Sequence, residues 1–197
     1  MIADWRLGAV VKSLISKGIL LILVISAGCA VQPTPGPADL QFAVLGKFGI
    51  RDGEQGYAAR FEWRHYANEY QIEVWGPLGQ GRTQLRGNAR SMQVSRGAEM
   101  LAQGPPDQVM YDYLGWSVPV EVLPAWLAGR PQHARTYYGA VRDASGRFTE
   151  FHQAGWQVQL SGFTLRADTN ASLVTPAKII AQNGARKVTV AVRDFKH

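Results

Sequence analysis

The sequence predicts a mainly β fold, in which one antiparallel sheet of about ten or eleven strands curls around a central pair of short helices. One observation is a repeated alternation of apolar and polar residues, which is typical of strands with one buried face. Another is a composition with 21 Gly, 6 Trp and 7 Tyr and no long Ala/Glu/Lys/Leu stretches, which favours strands over helices. At 197 residues, the chain suits one domain with a sizeable core.

The N-terminus has the features of a bacterial lipoprotein signal. Residues 18–27 form a short apolar segment that follows three basic residues. At about ten residues the segment is too short for a membrane-spanning helix, and it is typical of a secretory signal peptide. Cys29, the single cysteine of the chain, directly follows the small residues Ala27 and Gly28. We therefore predict a signal peptide over residues 1–28 and a lipid-modified Cys29, the alternative being an ordinary signal peptide followed by a free cysteine.

The residues after Cys29 predict where the chain is anchored. A cysteine that carries S-diacylglycerol and N-palmitoyl groups would hold a protein firmly in a bilayer. Ala30 follows the cysteine, and the resemblance to sorted lipoproteins, which commonly have Asp there when retained in the inner membrane, implies the outer membrane with the protein facing the periplasm. Residues 29–41 are rich in Pro and predict a lipidated flexible tether, and residues 42–197 form the predicted domain.

The first half of the domain predicts consecutive hairpins. Residues 57–65 place Tyr57, Ala59, Phe61 and Trp63 on one face, and residues 69–75 alternate in the same manner, so the two segments predict a hairpin. Further strands are predicted around Val44, Phe48 and Ile50, before a turn at Asp52-Gly53, and over 82–86, 91–95 and 98–103.

The middle and the C-terminus of the chain differ in their patterns. Apolar residues at helical spacing predict a helix over 105–114 and a second over 119–128, which Pro124 should shorten or kink. Strands are predicted again over 156–160, 178–182 and 188–192, with a type I′ turn at Asn183-Gly184.

The sequence contains no positive evidence of catalysis. It lacks a nucleophile elbow, a phosphate-binding glycine loop, an HExxH motif and any Cys/His cluster. We therefore predict no enzyme activity, no cofactor and no metal site, which leaves an envelope hydrolase as the weakest hypothesis. The net charge of +6 comes from scattered residues, a pattern that disfavours a nucleic-acid partner and fits a solvated surface or one close to anionic lipid.

The apolar face of a curled sheet must either be filled by side chains or enclose a cavity. Composition alone leaves both possibilities open. The candidate residues for a cavity wall are Phe48, Phe61, Trp63, Ile72, Val74, Leu85, Val94, Met110, Leu114, Trp126, Val158, Leu160 and Val190. Leu78 is a further candidate, because a Pro-Leu-Gly turn between two strands would place it at a loop tip, either as an ordinary exposed residue or as a probe for a membrane or a partner's pocket.

Several motifs together resemble the LolB family of outer-membrane lipoproteins. The resemblance covers roughly residues 42–195, and its most specific elements are the order and spacing of four motifs. They are Trp75-Gly76-Pro77-Leu78-Gly79-Gln80-Gly81, Leu114-Gly115-Trp116-Ser117-Val118-Pro119-Val120, Trp126-Leu127-Ala128-Gly129-Arg130-Pro131 and Gln153-Ala154-Gly155-Trp156. Phe195 departs from the Trp that the family tends to have there.

The resemblance implies a half-open antiparallel β-barrel with a helical lid and a hydrophobic cavity for acyl chains. It also implies a monomer that accepts triacylated lipoproteins from a LolA-like periplasmic carrier and incorporates them into the outer membrane. The family's exposed loop leucine maps to Leu78, which is thereby implied to help cargo insertion into outer-membrane lipid. The competing hypothesis is a structural or assembly lipoprotein of the envelope whose barrel core is filled and binds no acyl chain.

Overall fold

The structure, a computed structural model, describes residues 39–114, 117, 119–167 and 172–196. The chain divides into two units, Met1–Thr34 and Pro35–His197. All described residues belong to the second unit, which therefore contains its own hydrophobic core. The predicted signal peptide 1–28, Cys29 and most of the tether 29–41 lie outside the described residues. The first strand begins at Leu40, inside the range predicted for the tether.

An eleven-stranded antiparallel sheet forms the main element of the second unit. Along the chain, its strands and those of a small separate hairpin are β1 (Leu40–Asp52), β2 (Gln55–Tyr66), β3 (Tyr70–Trp75), β4 (Thr83–Gly87), β5 (Met92–Arg96), β6 (Glu99–Gly104), β7 (Tyr137–Arg142), β8 (Phe148–Gln153), β9 (Trp156–Ser161), β10 (Thr164–Ala167), β11 (Ser172–Thr175), β12 (Lys178–Asn183) and β13 (Arg186–Lys196). The order across the sheet is β6-β5-β4-β3-β2-β1-β13-β12-β9-β8-β7. The predicted open antiparallel fold is confirmed.

The sheet does not close, and its two edges are β6 and β7. The chain between these edges carries both helices, α1 (Pro106–Leu114) and α2 (Leu123–Leu127). Val109 on α1 and Trp126 on α2 are buried in the core formed by the sheet. Helix α2 is shorter than the predicted 119–128, and Pro124 lies in its first turn, where the missing N–H breaks no helical bond.

Period-two alternation places one face of each long strand inward, as the sequence predicts. On β1 and β2, Val44, Phe61 and Trp63 are buried, whereas Lys47 and Arg60 on the opposite face are exposed. Because the register aligns Lys47 with Arg60 and Val44 with Trp63, apolar residues meet apolar residues across the pair. The core of this half therefore follows directly from the local pattern.

Several elements differ from the prediction. The sequence pattern did not identify β7 and β8, or the two-stranded sheet of β10 and β11. The last hairpin pairs β12 with β13 as predicted, but its central residues are Gly184 and Ala185, since Asn183 pairs with Arg186. Only Gly184 has a positive φ, which fits a type II′ turn instead of type I′.

Candidate functional site

A cavity of about 620 Å³ lies between the inner face of the sheet and the two helices. One row of its wall crosses three adjacent strands, because Ile72 on β3 is aligned with Leu85 on β4, which is aligned with Val94 on β5. Met110 from α1 and Trp126 from α2 complete the wall. The volume is within the range of pockets that enclose small ligands, and a largely apolar wall is typical of them.

The structure brings most of the sequence-predicted wall residues together. Those that line the cavity are Phe48, Phe61, Trp63, Ile72, Val74, Leu85, Val94, Met110, Trp126 and Val190. Val158 and Leu160 do not line it, and both are buried in the core cluster, with 0% and 3% of their surfaces exposed. Leu114 is the last residue of α1, and the prediction for its side chain lies outside the described part.

The polar residues of the cavity lie at one end. Asp52 and Gln55 flank the β1–β2 turn, Gly81 belongs to the β3–β4 loop and Arg96 ends β5. These connections share an end of the sheet because the strands alternate in direction. The cavity therefore has a polar mouth at the end that also carries the loop of Leu78.

The loop between β3 and β4 exposes 93% of Leu78. Its backbone forms a turn in which the Gly79 N–H donates to the Gly76 carbonyl at 2.9 Å, with Pro77 and Leu78 at the two central positions. The Gly76 N–H donates to the Gln80 carbonyl at 2.8 Å, and the Leu78 N–H donates to Gln80 Oε1 at 3.0 Å. These three hydrogen bonds fix the backbone of the turn, while the Leu78 side chain stays exposed.

The base of this loop is braced by Arg82. Its guanidinium group forms an ion pair with Glu73 and stacks over the Trp75 ring, 4.8 Å from the ring centroid. Exposed ion pairs and cation–π contacts are individually weak, but here one side chain makes both. The brace joins the last residues of β3 to the start of β4.

Gln153, at the end of β8, ties the helical segment to the sheet. Its Oε1 accepts from Trp126 Nε1 at 3.0 Å and from the Gln132 N–H at 2.9 Å. Its Nε2 donates to the carbonyls of Gln132, at 2.8 Å, and Arg135, at 3.0 Å. Only 2% of Gln153 is exposed. Residue-by-residue reasoning missed this role, since the only sequence signal was a glutamine before the Ala154-Gly155 turn.

Two titratable groups near the cavity are shifted by burial. Burial lowers the pKa of His65, whose ring stacks on Phe42 at a centroid distance of 4.9 Å. Burial, and then the negative charge of Glu121, raise the pKa of Tyr70. Both groups therefore stay neutral near pH 7, consistent with an apolar interior.

Two other kinds of feature are absent from the described residues. No group of three His, Cys, Asp or Glu side chains within them could hold a metal ion. No helix in the same part of the chain has the length and apolar character needed to cross a membrane.

Comparison with known proteins assigns the chain to a family. The model of a family described as outer membrane lipoprotein LolB matches residues 40–194. This chain belongs to the LolB family. The matched residues include the whole main sheet except the end of β13, both helices and the Leu78 loop. The resemblance predicted from the sequence motifs is confirmed.

Relatives named outer-membrane lipoprotein LolB occur in several bacteria. The protein of Chromohalobacter salexigens is 28% identical over 95% of this chain and 92% of its own length. That of Bordetella pertussis is 35% identical over 74% of this chain and 77% of its own. A solved LolA-superfamily protein from Nitrosomonas europaea aligns at 12% identity with a TM-score of 0.47, over 82% of this chain and 87% of that chain.

Proposed function

We propose that this LolB-family chain accepts triacylated lipoproteins from a LolA-like carrier, shields their acyl chains and incorporates them into the outer membrane. The observation that carries the proposal is the apolar cavity of about 620 Å³. Together with family membership, it favours this function over an envelope lipoprotein whose core is filled and binds no acyl chain.

An apolar cavity can lower the free-energy cost of moving acyl chains through water. Leaving a 16-carbon acyl chain in water would cost roughly 12 kcal/mol, at about 0.8 kcal/mol per CH₂. Aliphatic and aromatic side chains such as Ile72, Leu85 and Trp126 line the cavity, and they can cover such a chain without leaving polar groups unpaired. The ten predicted wall residues that line the cavity are therefore proposed as acyl-chain contacts.

The mouth and the Leu78 loop supply a route to the bilayer. Both lie at the same end of the sheet, so an acyl chain that leaves past Gly81 would emerge beside the exposed leucine. We propose that Leu78 enters the lipid surface during release. Cys29, as the proposed lipid anchor, would keep the domain close to the outer membrane and in the periplasm.

Transfer in this proposal runs down a gradient of free energy. The sequence contains no phosphate-binding loop, so nucleotide hydrolysis is not invoked. The acyl chains would bind this chain more tightly than the carrier, and the bilayer would be their final sink. The helices between the two sheet edges would move to admit the chains.

A transfer assay tests the proposal. The protein would be a chain that begins at Ala30, which keeps the whole described core. A LolA-like carrier loaded with a triacylated lipoprotein is mixed with it without nucleotide, and cargo is followed by pull-down. We expect the cargo to move to this protein.

A variant that fills the cavity should block transfer. Ile72→Trp adds volume at a wall position on β3, and we expect cargo uptake to fall at least tenfold. Ile180→Trp is the matched control, because Ile180 is a half-buried residue that pairs with Thr189 on the outer face of the sheet. If cargo stays on a functional carrier when the parent protein is added, the result would favour the hypothesis of a filled core that binds no acyl chain.

A further inference from the structure

Five basic side chains share the outer face of β2, β1, β13 and β12. They form what we call the basic patch: Lys47, Arg51, Arg60, Lys178 and Lys187, all exposed. Lys47 is aligned with Arg60 across one strand pair, and Arg51 with Lys187 across another. Lys178 and Lys47 both pair with Ala191, one from each side. At about 3.3 Å per residue and 4.8 Å per strand, the patch spans roughly 13 by 14 Å.

The charge of the basic patch is not balanced within the described chain. None of its five members forms an ion pair with another described residue. Three nearby carboxylates are already engaged, since Asp52 pairs with Arg186 at 3.3 Å, Glu73 with Arg82 and Glu62 with Arg64. Exposed Glu54 in the β1–β2 turn forms no ion pair with a described residue, and its one charge offsets at most one of the five. Like charges directly opposite each other on neighbouring strands destabilise a sheet. A bound anionic surface would remove that repulsion.

A groove of about 460 Å³ lies within the basic patch. Gly49, Gly56 and Ala58 contribute small residues to its lining, and Arg51 and Lys187 are the charged residues beside them. Small residues let a ligand approach the backbone closely, while two cationic side chains can donate several hydrogen bonds to one phosphate group. The groove therefore has the size and charge to hold a phosphodiester.

The groove lies at the end of the sheet that carries Leu78. Arg51 is one residue before the end of β1, and Lys187 is one residue after the start of β13. The β1–β2, β3–β4 and β12–β13 connections all fall at this end, because the strands are antiparallel. The cationic groove, the cavity mouth and the exposed leucine are thus grouped together.

The residues between the charges favour a lipid surface over a protein partner. The outward positions there hold Gly49, Ala58, Thr189 and Ala191. The one large apolar side chain among the described residues beside them is the half-buried Ile180, next to Lys178. Protein interfaces depend on a few large buried anchors, whereas binding to an anionic bilayer needs only clustered basic residues and gains from an inserted apolar side chain.

We infer that the basic patch docks this chain on anionic phospholipid headgroups, with a lipid phosphate held in the groove between Arg51 and Lys187. The inference rests on the proposed function only in placing Leu78 at a membrane. The inference adds that the membrane which Leu78 enters contains anionic phospholipid. A neutral bilayer could accept Leu78 but would not bind the basic patch.

Vesicle binding tests the inference without carrier or cargo. The chain that begins at Ala30 is floated with phosphatidylcholine vesicles that contain or lack phosphatidylglycerol, at low and high salt. We expect tighter, salt-sensitive binding to the phosphatidylglycerol vesicles. Each basic residue near an anionic surface strengthens binding about fivefold, so Arg51→Gln/Lys187→Gln should weaken it up to about 25-fold.

A charge-matched control separates the patch from net charge. Arg90→Gln/Lys196→Gln removes the same charge from exposed residues at the opposite end of the sheet, and we expect parental binding. Equal binding by the parent and the patch variant, or equal weakening by both variants, would overturn the inference. Thermal unfolding of each variant confirms that the fold is retained.

Two further arms separate the inference from its alternatives. In cargo insertion into pure phosphatidylcholine vesicles, we expect the patch variant to equal the parent. If neither inserts cargo while the patch effect on vesicle binding persists, the proposed function fails and the patch inference stands. If the patch variant instead slows cargo uptake from the carrier in solution and binds vesicles normally, the patch docks a protein and the inference is wrong.

Discussion

The side chain of Gln80 holds the backbone of Leu78 in place, through the Leu78 N–H donating to Gln80 Oε1 at 3.0 Å. The same carboxamide lies against Gly76, where an added Cβ would be only 2.6 Å from Gln80 Nε2. The loop therefore presents an exposed leucine on a fixed backbone. Such preorganisation lowers the entropy lost when a loop meets its target.

Removing this hydrogen bond should impair insertion without affecting uptake. In Gln80→Ala, the Leu78 N–H loses its acceptor and the loop gains freedom, so we expect insertion of cargo into vesicles to slow several-fold. Gln103→Ala is the control, because Gln103 is an exposed glutamine on edge strand β6. A Gln80→Ala rate equal to the parent's would show that the loop needs no such support.

A charge at the loop tip should block the membrane step. Leu78→Glu places a carboxylate where the proposal requires burial in lipid, and burying an unpaired charge is strongly unfavourable. We expect cargo uptake from the carrier to stay within about twofold and insertion to fall at least tenfold. Leu165→Glu changes another leucine with 63% exposure, on β10, and should insert cargo normally. Normal insertion by Leu78→Glu would remove Leu78 from the mechanism.

The buried glutamine that anchors α2 should matter for stability. Gln153→Leu leaves Trp126 Nε1 and the Gln132 backbone without their described partner, and each buried unpaired group costs about 1–3 kcal/mol. We expect a loss of about 3 kcal/mol in the free energy of unfolding, measured with urea. Gln159→Leu, which removes an exposed hydrogen bond to Glu150, should cost less than about 0.5 kcal/mol.

The β8–β9 turn contains a strained alanine. Ala154 has φ = 53°, a left-handed conformation that costs a residue with a Cβ roughly 1–2 kcal/mol. Ala154→Gly should therefore raise the thermal midpoint. Ala98 occupies the two-residue β5–β6 turn but does not have a positive φ, so Ala98→Gly should lower the midpoint through unfolded-state entropy. Midpoints that move in the same direction would contradict this account.

His65 should make the stability fall at acidic pH. Burial lowers its pKa in the folded chain, so the unfolded chain binds a proton first as the pH drops below about 6.5. The contribution of neutral His65 is complete above that pH and is lost as the pH falls towards the folded-state pKa. His65→Phe, which keeps an aromatic ring beside Phe42, should show a smaller difference in unfolding free energy between about pH 8 and about pH 5.

The N-terminal half of the sheet could be read from local alternation. On β1 to β3, residues such as Phe61, Trp63 and Ile72 repeat at the strand period, and the structure places them on one inner face. The exposure of Leu78 followed equally from its neighbours, because the Pro-Leu-Gly sequence dictates a turn whatever lies around it. The less regular segments that became β7, β8 and the β10–β11 hairpin carried a weaker local signal.

The sequence by itself determined the fold class, the family and the loop that displays Leu78. The fold class and the loop depend on residues close together in the chain, and the family depends on motifs in a fixed linear order. Only the tertiary structure decided that the sheet leaves a cavity, that Gln153 holds α2 and that Arg51 meets Lys187. These features join residues far apart in sequence. Whether space is filled, or charges adjoin, depends on strand order and register, which no single segment specifies.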